Sequence, residues 1–136
     1  RAYMKLKNIR KHLIHYVTNR LVKDNDIIVM EDLDIKNMYK THRVAKSLTN
    51  IPLAEIKQVL EYKCKWQNKK LLTINRYYPS SQTCSVCGYQ NKEVKDLNIR
   101  RWECPKCSSL HDRDINASVN IMFEGLKMYM QSLVLK

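Results

Sequence analysis

Four cysteines set as two Cys-x-x-Cys pairs constrain this chain more than any other feature of its sequence. Cys84-Ser85-Val86-Cys87 and Cys104-Pro105-Lys106-Cys107 are separated by 16 residues, the spacing of a four-thiolate zinc site. Two residues between cysteines let both sulfurs of a pair face one ion about 2.3 Å away, and amides within the turn can donate to the thiolates. Gly88 suits the left-handed position after the first knuckle; Ser108 holds the equivalent place in the second, which predicts a turn that is more strained or differently shaped. Disulfides and a thioredoxin-like redox pair are the competing readings. The first belongs with a secretory signal, and no charged region leading into an apolar stretch marks one here; the second usually comes singly, near the start of a βαβ unit. The expectation is therefore one structural zinc ion per chain, on Cys84, Cys87, Cys104 and Cys107. Four protein thiolates leave no open coordination position, so the chemistry is expected elsewhere. Cys64, the fifth cysteine, lies on the apolar face of a predicted helix and reads as core packing.

Around the cysteine segment, apolar periodicity predicts an α/β arrangement. Leu6, Ile9, Leu13, Tyr16, Val17 and Leu21 recur at three- and four-residue steps, so residues 2–23 read as an amphipathic helix. Ile27-Ile28-Val29-Met30 is short, β-branched and apolar on both faces, as a buried parallel strand requires. Residues 35–50 lack a sustained period and read as a mobile connection that could order on a ligand. Leu53, Ile56, Leu60 and Cys64 restore helical spacing after Pro52, predicting a helix over 52–67, and Leu71-Leu72-Thr73-Ile74 follows as a second buried strand. Helix, strand, helix, strand in that order argues for a parallel sheet. Ile115, Val119, Met122, Leu126, Met130 and Leu133 form the apolar stripe of a last helix.

Charge narrows the function. In 136 residues, 25 lysines and arginines face 13 acidic residues, a net +12 that attracts a polyanion by releasing its counterions. Residues 1–23 contain no acidic residue at all, and Lys11 and Arg20 on that helix are candidate phosphate contacts. Between the cysteine pairs, Lys92, Arg100, Arg101 and Trp102 mix base and aromatic in a way that could hold phosphates and stack on bases. A solvated helix face and a solvated hairpin are the blander readings of the same residues. No stretch approaches the roughly 18 apolar residues that cross a bilayer.

Carboxylates are the remaining chemistry. Glu31 ends the first predicted strand, where α/β sheets build sites at their carboxyl edges. Asp112 and Asp114 stand at the start of the last helix, where capping alone would favour acidic residues. Two or three such carboxylates converging would hold Mg²⁺, a hard cation suited to oxygen ligands and to phosphodiester cleavage.

Three local motifs carry a resemblance. Ile28-Val29-Met30-Glu31-Asp32-Leu33, Tyr78-Pro79-Ser80-Ser81-Gln82-Thr83-Cys84-Ser85-Val86-Cys87-Gly88 and His111-Asp112-Arg113-Asp114-Ile115-Asn116-Ala117 resemble, in order, the second RuvC motif, the start of the zinc ribbon and the third RuvC motif of the TnpB (OrfB) proteins of insertion sequences, relatives of type V CRISPR effector nucleases. The resemblance covers nearly the whole chain. It implies a partial RNase H-like (RuvC-type) domain with an inserted zinc ribbon, divided as 1–76 for the first nuclease part, 77–110 for the ribbon and 111–136 for the final motif and helix. It further implies RNA-guided, Mg²⁺-dependent DNA cleavage, with Glu31 and Asp114 as the magnesium ligands and Asp112 the fallback for Asp114. DNA and guide RNA would be the partners, in the cytoplasm of a prokaryotic cell.

The family's first RuvC motif, which supplies an aspartate, has no counterpart in this sequence, and the chain starts at Arg1 rather than at methionine. The expectation is the C-terminal part of a nuclease, whether an excised fragment, a split gene or a decayed copy. Such a part is inactive alone, and the missing N-terminal part is a candidate partner. Two readings compete: a non-enzymatic nucleic-acid-binding module derived from the same family, which loss of Glu31 or Asp114 would favour, and a ribosomal or polymerase zinc protein, which leaves those motifs unexplained.

Overall fold

The structure, a computed structural model, describes residues 1–33 and 52–135. The expected connection at 35–50 lies outside them. Helix α1 spans Ala2–Asp24, strand β1 Ile27–Glu31, helix α2 Leu53–Trp66 and strand β2 Lys70–Ile74. A 3-10 turn at Lys92–Lys95 follows, then β3 at Arg101–Glu103, β4 at Leu110–Asp112 and the long helix α3 at Arg113–Val134. These helices and the first two strands fall within a residue or two of the periods that predicted them.

Strands β1 and β2 pair as a two-stranded sheet. Lys70 N–H donates to Asp26 O at 2.9 Å and Asp32 N–H to Ile74 O at 3.2 Å, so both segments advance in one direction and the pairing is parallel, as expected. By its contacts the described chain divides into two compact units, Arg1–Ile28 with Leu33–Leu72, and Val29–Asp32 with Thr73–Lys136.

In the first unit, Val22 of α1 packs with Leu60 and Cys64 of α2, flanked by Ile28, Ile56 and Leu71. Cys64 is thus a core residue, as the sequence predicted. The face of α1 is not the predicted one. Its buried residues are Ile14, Thr18 and Val22, whereas Leu6, Ile9, Leu13, Tyr16, Val17 and Leu21 are between 39% and 58% exposed. A polar contact lies on the covered face beside Ile14 and Val22. Lys63 of α2, only 6% exposed, donates Nζ to Thr18 Oγ1 at 2.6 Å and to His15 O at 3.0 Å, and Thr18 Oγ1 donates on to Ile14 O at 2.6 Å. Burial among neutral oxygens pushes the Lys63 ammonium below the ordinary lysine range. Helix α2 ends on Asn68, whose φ of +53° lets Lys69 N–H reach back to Cys64 O at 2.8 Å.

In the second unit, Cys84, Val94, Trp102 and Cys104 form a small core flanked by Cys87 and Ile99. Strands β3 and β4 close it as an antiparallel pair in the register Arg101↔Asp112, Trp102↔His111 and Glu103↔Leu110. Helix α3 buries Asn116, Asn120 and Gly125, while Ile115, Met122, Met130 and Leu133 of the predicted stripe are exposed. Gly125 lies against β1: a β-carbon there would overlap both γ-carbons of Val29. Among the described residues, no helix is long and apolar enough to cross a membrane.

Candidate metal centre and carboxylates

Each Cys-x-x-Cys pair folds into the same knuckle. Gly88 N–H donates to Cys84 O at 2.9 Å and Cys84 N–H to Tyr89 O at 2.8 Å; Ser108 N–H donates to Cys104 O at 2.8 Å and Cys104 N–H to Ser109 O at 2.9 Å. The residue after each pair is left-handed, Gly88 at φ +73° and Ser108 at φ +56°, so the expected strain at Ser108 is present. The four sulfurs lie within 4.8 Å of one another. Cys84 and Cys107 Sγ are 3.7 Å apart and Cys87 and Cys104 Sγ 3.6 Å, against about 3.8 Å between corners of a tetrahedron with 2.3 Å metal–sulfur bonds.

The surroundings favour charge on two of these sulfurs. Burial of Cys84 opposes its ionisation, but the Ser109 hydroxyl, the Cys87 and Val86 amides and the His111 ring outweigh burial and bring its thiol down to about 5. Cys107 is lowered mainly by the side chain and amide of Ser109. At Cys87 the Tyr89 amide favours the thiolate, yet burial and the three neighbouring sulfurs prevail and push the thiol up to about 12. Four sulfurs this close cannot all ionise without a cation, and one cation removes the conflict. A thiophilic divalent metal therefore fits.

Two residues outside the pairs complete the centre. Ser109 Oγ is 3.0 Å from Cys107 Sγ and 2.8 Å from His111 Nε2, and His111 Nε2 is 3.1 Å from Cys84 Sγ. With both sulfurs as thiolates, the Ser109 hydroxyl donates a hydrogen bond to Cys107 and His111 points Nε2–H at Cys84 and the serine oxygen.

The carboxylates stand on different elements. Glu31, half-buried at the end of β1, accepts from Ser80 Oγ at 2.6 Å. Asp112 is the N-cap of α3, its Oδ1 accepting from Asp114 N–H at 3.1 Å and Ile115 N–H at 3.2 Å. Asp114 has a 78% exposed side chain, 3.5 Å from Arg100 Nη1. Among the described residues, the cysteines are the one group of three or more metal-ligating side chains brought together.

A family model, the Cas12f1-like TNB domain, matches residues 54–121, half of the chain. The chain belongs to this family. A protein of Streptomyces pristinaespiralis, provisionally named an RNA-guided DNA endonuclease, is 36% identical over 126 residues, 93% of this chain and 31% of the relative. InsQ of Escherichia coli strain K12, named in the same provisional way, is 30% identical over 92% of this chain and 34% of its own length. TnpB-like protein L79 of Acanthamoeba polyphaga mimivirus is also 30% identical, over 92% of this chain and 24% of its own. The chain thus spans about a third or less of these curated relatives. A cryo-EM structure of a Cas12f1–sgRNA–target DNA complex matches with a TM-score of 0.66 at 24% identity, over 88% of this chain and 35% of that one, and shows a shared fold. The resemblance to the TnpB group read from the motifs is borne out.

Within this TNB domain, Lys92, Arg100 and Arg101 are exposed, as are Lys11 and Arg20 on α1. Trp102 is not available for base stacking. It is 7% exposed, packed among cysteines with its ring centroid 4.8 Å from that of His111, because alternation along β3 turns Arg101 and Glu103 outward and Trp102 into the core. Sequence reasoning also passed over Ser80, Ser109, Asn116 and Asn120. Asparagines four apart inside a helix were the available signal, since asparagine disfavours helix interiors unless its side chain is used.

Proposed function

We propose that the chain is the C-terminal portion of a TnpB-like, RNA-guided DNA endonuclease, with a partial RNase H-like domain over 1–76 and 111–136 and a zinc ribbon at 77–110. Cys84, Cys87, Cys104 and Cys107 hold one structural Zn²⁺. Glu31 and Asp114 are ligands for Mg²⁺, which when bound supplies Lewis-acid activation of water and stabilisation of the leaving oxygen. The observation that carries the reading is the division of labour among the carboxylates. Asp112 is committed to the α3 cap, Asp114 faces solvent, and Glu31 is oriented by Ser80 at the end of β1. A carboxylate oriented by a donor is prepared to bind a hard cation.

The partners are DNA and guide RNA, contacted in part by Lys11, Arg20, Lys92, Arg100 and Arg101, in the cytoplasm of a prokaryotic cell. A third carboxylate and the guide-binding surfaces belong to the remainder of the longer protein. This chain by itself binds nucleic acid in a salt-dependent way and leaves DNA uncut.

Millimolar Mn²⁺ added to the zinc-loaded chain is expected to broaden the NMR signals of Glu31 and Asp114 before those of other carboxylates, and Glu31→Gln to weaken the effect at Asp114. Uniform broadening would remove the magnesium assignment and leave a nucleic-acid-binding module. Mg²⁺-dependent nicking by the chain alone that is lost in Glu31→Ala would refute its inactivity.

A further inference from the structure

We infer that the first cysteine knuckle positions Glu31 through a chain of hydrogen bonds carried by three buried side chains, so that Ser80, Asn116 and Asn120 are positioning residues for that carboxylate. Only the catalytic importance of this relay rests on the proposed function.

The relay is continuous within the second unit. Ser85, between the two cysteines of the knuckle, donates its N–H to Asn116 Oδ1 at 3.0 Å. Asn116 Nδ2 donates to Thr83 O at 2.7 Å, and Asn120 Nδ2 donates to the same carbonyl at 2.6 Å and to Ser80 O at 2.8 Å. Ser80 Oγ then donates to Glu31 Oε1 at 2.6 Å. Asn116, Asn120 and Ser80 are all buried.

A helix face that only needs to pack would carry aliphatic side chains at 116 and 120. Asparagine at both, four residues apart and on one face of α3, instead satisfies the backbone of the segment joining Ser80 to the knuckle. Buried polar groups lose more when left unpaired than they gain when paired, so the links hold together or fail together. The direction of the Ser85 amide depends on Cys84 and Cys87 facing one ion. Metal at the thiolates therefore sets, through three side chains, where Glu31 points.

The test uses the full chain with ¹³C-labelled glutamate carboxyls, Glu31 being assigned by the signal missing from Glu31→Gln. Adding Zn²⁺ to the metal-free thiol form is expected to shift and sharpen the Glu31 carboxyl signal. Ser80→Ala and Asn120→Ala are expected to abolish that response, while Ser80→Thr, which keeps the hydroxyl, restores it. Sulfur-to-metal absorption with Co²⁺ should be unchanged in both Ser80 variants, because that hydroxyl touches no sulfur. An equal Zn²⁺ response in Ser80→Ala and Ser80→Thr overturns the inference, as does a Glu31 signal indifferent to Zn²⁺ in the parent chain. Mn²⁺ broadening is read separately: its failure with the Zn²⁺ response intact removes the magnesium assignment and leaves the relay standing.

Discussion

Ser108 and Lys63 show how single residues in this chain carry strain or cost that a neighbouring position avoids. Ser108 adopts the left-handed conformation that Gly88 adopts at the matching place in the other knuckle. A side chain in that region costs about 1–2 kcal/mol, and glycine loses about 0.5–1 kcal/mol of backbone entropy, so Ser108→Gly is expected to stabilise the zinc-loaded protein by about 0.5–1 kcal/mol. Guanidinium unfolding measures this, and a lower midpoint would contradict it. Lys63 buries an ammonium against Thr18 Oγ1 and His15 O. Its folded pKa is lowered by burial from the ordinary 10.5. Below that folded value both states hold the proton and the cost of burying charge is full. Between it and 10.5 the unfolded state binds more protons, so this group's contribution to stability rises with pH. The stability of the parent chain relative to Lys63→Met should therefore climb across that alkaline window, and a flat difference would show that Lys63 is solvated.

At the scale of elements, periodicity identified the helices and the covered face of α2, but misassigned the face of α1 and part of that of α3. Leu13 and Val17 on α1, like Ile115 and Met130 on α3, belong to regular apolar stripes yet are exposed, while the covered faces use Thr18, Asn116, Asn120 and Gly125. A hydrophobic pattern cannot reveal a face whose contacts are hydrogen bonds and a close backbone approach. The knuckles were legible for the opposite reason: two residues between cysteines fix their geometry locally, without help from distant chain. Strand β3 is three residues long, too short for alternation to show that Trp102 turns inward. The approach of α3 to β1 at Gly125 and Val29 gives a test at this scale. Gly125→Ala gains about 1 kcal/mol of helix propensity but overpacks Val29 at about 1–3 kcal/mol, so net destabilisation is expected in thermal melts. Adding Val29→Ala should recover part of it; a more stable single variant would place α3 farther from the strand.

Over the whole molecule, the two units can be followed independently because each holds one tryptophan. Trp66 on α2 is 79% exposed with its ring against Tyr62, whereas Trp102 lies in the small core formed with Cys84, Val94 and Cys104. Chelating the metal is expected to shift Trp102 emission to the red as β3 and β4 separate, leaving Trp66 unchanged. A Trp66→Phe variant isolates the first signal, and an unaltered spectrum after complete metal removal would show that the ribbon holds without its ion. The Lys63 contact offers a second readout in the first unit. Its ammonium group is enclosed by α1 while Lys5, Lys7, Lys11 and Lys23 are open to solvent. An amine-acylating reagent would consume those four at once and reach Lys63 only when α1 lifts away from α2. At reagent concentrations high enough for acylation to outpace reclosing, the delay in its modification is therefore a clock, running at the rate of that opening, that the protein carries without any added label.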